Sequence, residues 1–93
     1  MSSQEVDRTL LREIVAAQLR GVLAEHGVTR PEVAARTGFH PSTIYRLTNA
    51  ERPIELEVLY VIADAVGFDP GEFMDTAKRK YLKQIRERDS EGD

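Results

Sequence analysis

The chain contains no cysteine and no tryptophan, and only two histidines. Without cysteine there can be no disulfide, thiolate metal site or thiol nucleophile, which suits a reducing compartment. His26 and His40 stand apart, with neither cysteine nor clustered carboxylates beside them, so no metal-ligand spacing arises. Three Phe and three Tyr cannot fill a core; Leu, Ile, Val and Ala must do so. No apolar run nears the roughly 20 residues of a membrane span. The opening Met1-Ser2-Ser3-Gln4-Glu5 lacks the basic start and apolar stretch of a signal peptide. A phosphate-cradling glycine loop and a Ser-His-Asp set are also missing. The expectation is a cytoplasmic protein that is not an enzyme, without metal, cofactor or evident small-molecule ligand.

Ninety-three residues make one domain, since two separate cores would each be too small. The net charge of −3 hides a strong segregation. Residues 57–77 carry five carboxylates and no base, whereas residues 78–88 carry six basic side chains against Glu87 alone. Between Thr29 and Arg52 four arginines face Glu32 and Glu51, a mildly basic stretch. A polyanion responds to the local potential of the face it meets, not to the total. The dispersed acids Glu57, Asp64, Asp69, Glu72 and Asp75 read as a solvated face rather than a catalytic pair.

Apolar residues recur at helical spacing throughout, and no period-two alternation suggests a strand. Val6, Leu10, Ile14, Leu19 and Leu23 trace a long first helix, with Ser2 and Glu5 spaced as a capping box and Gly27 as its stop. Thr29-Arg30-Pro31-Glu32 is a second helix start, and Gly38 ends that short helix. A third helix begins at Pro41 and runs to about Thr48, and Leu56 to Val66 forms a fourth closed by Gly67. Asp69-Pro70-Gly71-Glu72 starts a fifth, running to about Arg88, before a frayed acidic tail of residues 89–93.

Two short helices joined by a tight glycine turn form the helix-turn-helix pattern. Ala34 is small enough for a close crossing, and Gly38 accepts the positive φ of the turn. Ile44 and Leu47, three residues apart, set the buried direction of the third helix. The opposite side then carries Ser42, Tyr45, Arg46 and Asn49. Arg46 suits bidentate contact with guanine O6 and N7 in a major groove. Ser42 suits a base or a phosphate, Tyr45 a sugar, a thymine methyl or a phosphate, and Asn49, at the helix end, the backbone.

Residues 19–67 resemble the lambda-repressor-like (Xre/Cro-type) helix-turn-helix family. The likeness rests on residues 27–39, on Ile44-Tyr45-Arg46-Leu47-Thr48-Asn49, and on Leu56, Leu59, Ile62 and Ala63. It implies an all-α, five-helix DNA-binding domain that places the helix starting at Pro41 in the major groove. It also implies base contacts from Ser42, Tyr45 and Arg46, with Thr43 and His40 nearby. Phosphate contacts would come from Arg30 and Asn49, joined by Thr29, His40 and the loop residue Arg52. The sequence departs from the family pattern at His40, Thr48, Ala50 and Glu55, where Ser/Thr, Glu, Gly and Ser are usual.

The expected organisation is a helix-turn-helix domain over residues 1–69, with its core at 29–48, followed by a basic amphipathic helix and acidic tail over residues 70–93. That last helix carries Phe73, Met74, Ala77, Tyr81 and Ile85 on one stripe. The fourth helix is apolar on more than one side and needs covering. The last helix is therefore expected to pack on the fourth and to extend into a homodimer contact. The functional expectation is a repressor-like transcriptional regulator of phage Cro, immunity-repressor or small bacterial Xre type, associated with the nucleoid and binding a double-stranded operator. The alternative is an antitoxin or protein-interaction module built on the same fold.

Overall fold

The computed structural model describes residues 5–91 as five helices, with no strand among them: α1 (Arg8–Glu25), α2 (Arg30–Thr37), α3 (Pro41–Thr48), α4 (Leu56–Val66) and α5 (Pro70–Glu91). No helix among the described residues is long and apolar enough to cross a membrane. The aliphatic core expected from the composition is there. Leu19, Val33, Ile44, Leu47 and Ile62 are all but fully enclosed, and they bring α1, α2, α3 and α4 around one centre.

Local chemistry sets most boundaries. The Thr29 hydroxyl accepts the Glu32 N–H, and the Glu32 carboxylate accepts the Thr29 N–H at 2.8 Å, a reciprocal box. His40 caps α3 through Nδ1, which accepts the Ser42 N–H. Asp69 caps α5, accepting from Gly71 and Glu72. Gly27, Gly38 and Gly67 all adopt positive φ at helix ends.

The start of α1 differs from expectation. Asp7 caps it, accepting the Leu10 N–H, so Val6 precedes the helix and lies exposed. Ser2, half of the expected capping box, lies outside the described residues. Asp outcompetes a weaker upstream start because its carboxylate satisfies a free N–H and favours the positive end of the helix dipole. α5 is also longer than expected, continuing through the acidic stretch to Glu91.

The placement of α5 corrects a second expectation. It lies chiefly along α1 rather than on α4. The two helices run antiparallel: Gln18 Nε2 donates to the Phe73 carbonyl at one end, and at the other the Tyr81 hydroxyl accepts the Asp7 N–H and Arg88 pairs with Asp7 at 2.9 Å. Phe73 and Ala77 are buried, Tyr81 and Ile85 half-buried, and Met74 falls outside the buried stripe. The spacing of four residues along this stripe follows a gently wound helix face. α4 consequently keeps an open side, with Leu56, Tyr60 and Val61 exposed.

Candidate nucleic-acid interface

α3 is held by its apolar side and presents its polar side outward. Ile44 and Leu47 are 1% and 2% exposed, so the helix cannot roll without emptying the core. Ser42, Tyr45, Arg46 and Asn49 are all exposed on the other side, and Thr43 is half-buried beside them. The turn from α2 is tight because Gly38 takes φ +82° and its N–H donates to the Ala34 carbonyl. Ala34 is buried in the core.

The remaining candidate residues do not form one simple row. The Arg30 guanidinium lies 4.4 Å from the centre of the Tyr45 ring and donates to Thr48 Oγ1 and Asn49 Oδ1. Arg30, Tyr45 and Asn49 are thus a single cluster at the end of α3. All of Arg30's partners are neutral, so its positive charge is not cancelled. Thr29 and His40 are exposed, but each uses a side-chain acceptor to cap its own helix. His40 Nδ1 also lies 2.8 Å from Ser42 Oγ. Arg52 is exposed in the loop after α3. Arg36 is drawn away from this face, donating to the Ala65 carbonyl near the end of α4.

Arg20 escapes a reading confined to the helix-turn-helix. From α1 it reaches over and donates to the Thr48 carbonyl, at the C-terminal end of α3, where a cation suits the dipole. Thr48 itself is fully buried, its hydroxyl donating to the Ile44 carbonyl at 2.9 Å. Arg8, Arg12 and Arg20, separated by four and then eight residues, mark one basic edge of α1 in the sequence.

Two departures from the family pattern leave structural marks. Ala50 follows α3 at φ +61°, the only non-glycine with positive φ among the described residues. There the Glu51 N–H donates to the Arg46 carbonyl at 2.9 Å, closing the helix. Glu55 occupies the capping position of α4 and makes no side-chain cap hydrogen bond.

The electrostatics of this face are simple. Among the described residues the single ion pair joins Arg88 to Asp7, so none of Arg20, Arg30, Arg46 or Arg52 is neutralised by a carboxylate. The Glu32 carboxyl is held below its ordinary pKa, mainly by the hydrogen bond from the Thr29 N–H. It stays ionised in the capping box.

The model of the Cro/C1-type helix-turn-helix DNA-binding domain matches residues 18–78. Two crystal structures of the clp gene regulator ClgR from Corynebacterium glutamicum are similar to this chain. One superposes with a TM-score of 0.74 at 26% identity, covering 85% of this chain and 84% of that one. The other gives 0.69 at 27% identity, over 75% and 91%. Among curated proteins none matches the chain.

Proposed function

Because the chain belongs to the Cro/C1-type helix-turn-helix DNA-binding family, and is on that footing a DNA-binding regulator of transcription, we propose that it reads an operator with the outward side of α3. The observation that carries this reading is the division of α3 itself. Two enclosed aliphatic side chains lock its orientation, and Ser42, Tyr45, Arg46 and Asn49 stand free opposite them.

In this reading Arg46 contacts a guanine edge, with Ser42, Thr43 and Tyr45 beside it. Arg30, Asn49 and Arg52 take phosphates flanking the groove, and Thr29 and His40 approach the same strand from the two helix starts. The protein works by occupancy: a repressor-like regulator of Cro or small Xre type blocks or recruits polymerase at its site. Such an activity places it with the nucleoid in the cytoplasm. It pairs as a homodimer through α5, where Met74 and Leu82 remain exposed after the inner stripe is spent on α1. A two-fold pair matches half-sites about one DNA turn apart. Residues 70–93 then serve packing and pairing, and residues 1–69 serve reading.

Selection of bound sequences from random duplexes supplies the operator, and Arg46→Ala tests the mechanism. The variant is expected to lose about 1–3 kcal/mol on the selected site and to relax preference at one base pair. Unchanged affinity and preference would sink the assignment and favour an antitoxin or protein-interaction role. For the homodimer, sedimentation at micromolar concentration is expected to give twice the 10.5 kDa chain mass; a monomer alone rejects it.

A further inference from the structure

Beside the end of α3 lies a cleft of about 410 Å³ that shares only Arg52 with the proposed DNA contacts. Its floor is Leu47, the inward side chain of α3. Leu11 and Val15 of α1 form one wall, and Ile54 of the loop after α3 forms the other. Arg8, Arg12, Arg52 and Pro53 complete the lining, and no carboxylate among the described residues contributes to it. The Arg12 Nε–H is withdrawn from solvent and has no acceptor. A buried donor without a partner is costly to leave unmade.

An apolar cleft edged by three cations and no carboxylate has a definite complement. From it we infer that the protein binds an amphipathic carboxylate, a short acyl chain ending in a single negative charge. The chain would lie on Leu11, Val15, Leu47 and Ile54, and the carboxylate would meet the arginines. The volume is within the range of small-molecule sites. A DNA phosphate would satisfy the arginines but has no use for the apolar chamber.

The inference rests on the proposed function in one respect, its consequence. Arg52 lines the cleft and also belongs to the loop assigned to the phosphates. A bound anion neutralises charge there and presses on Leu47, so occupancy weakens operator binding. The carboxylate is then an inducer, acting from behind the helix that reads.

Two-dimensional amide NMR of the full chain, titrated with monomeric decanoate in the absence of DNA, tests the site separately from the function. Shifts are expected to centre on Leu11, Val15, Leu47 and Ile54. 1-Decanol, which keeps the chain without the charge, and acetate, which keeps the charge without the chain, are each expected to bind at least about tenfold more weakly. Arg12→Gln and the exposed Arg52→Gln should each weaken decanoate by about tenfold. Decanol binding as tightly as decanoate, shifts centred elsewhere, or no saturable binding overturns the site. So does a pair of variants that lose salt dependence on DNA while decanoate binds neither them nor the parent, because the arginines would then serve phosphates only. Failure here leaves the Arg46→Ala result untouched, and failure of Arg46→Ala leaves decanoate binding to be read on its own.

Discussion

Ala50 holds a backbone conformation that alanine tolerates poorly. At φ +61° its Cβ crowds the following carbonyl, at a cost of roughly 1–2 kcal/mol that glycine avoids. The position is not free to relax, because the Glu51 N–H must reach the Arg46 carbonyl to finish α3. Ala50→Gly is therefore expected to stabilise the fold by about 0.5–1 kcal/mol, the gain being reduced by glycine's greater freedom in the unfolded chain. A urea midpoint that falls instead of rising would show that the strain is illusory. Thr48 teaches a different lesson at the same scale. Its side chain is fully buried, where the family pattern usually has Glu, and its carbonyl receives Arg20 from α1. The arginine spacing along α1 marks a basic edge, but which neighbour that edge reaches, 28 residues away, is decided only by the fold.

Among the elements, the helices with complete start signals are the ones whose boundaries could be read directly. The box of Thr29 with Glu32 and the Asp69 cap both sit where spacing alone placed them. α4 is the exception, since Glu55 leaves its first N–H groups without a side-chain acceptor. Glu55→Ser supplies one and is expected to raise stability by about 0.5–1 kcal/mol, measured by thermal or denaturant unfolding; no gain would mean that water already serves these groups equally well. The partners of α4 and α5 were less legible. Periodicity tells which stripe of a helix is apolar but not which neighbour receives it, and both α1 and α4 offered aliphatic faces to α5. The polar contacts of Gln18 with Phe73 and of Tyr81 with Asp7 decide for α1. They join residues at least 55 positions apart. The polar side of α3 was legible because two buried side chains define a helix's direction, whereas the Arg30–Tyr45–Asn49 cluster depends on how α2 and α3 cross.

At the scale of the molecule, the antiparallel α1–α5 pair makes an elongated body of 47 × 21 × 19 Å and brings the two ends of the described chain together. Asp7 does two things at that junction: it caps α1 and pairs with Arg88 of α5. Its carboxyl pKa is lowered, first by the hydrogen bond from the Leu10 N–H and then by Arg88. Glu32 is lowered as well, by Thr29. Depressed folded-state values mean that the native state favours the ionised forms. The resulting stabilisation is fully present above the ordinary carboxylate pKa of about 4 and is lost as the pH falls through the depressed values. The melting temperature should accordingly hold between about pH 7 and 5 and decline below about pH 4. Asp7→Asn keeps a capping oxygen but removes the titrating charge, so its acid decline should be shallower than the parent's, with a lower plateau near neutrality. If the variant and the parent decline in parallel, the junction between the two long helices is not where acid acts, and the capping box at Glu32 must carry the effect.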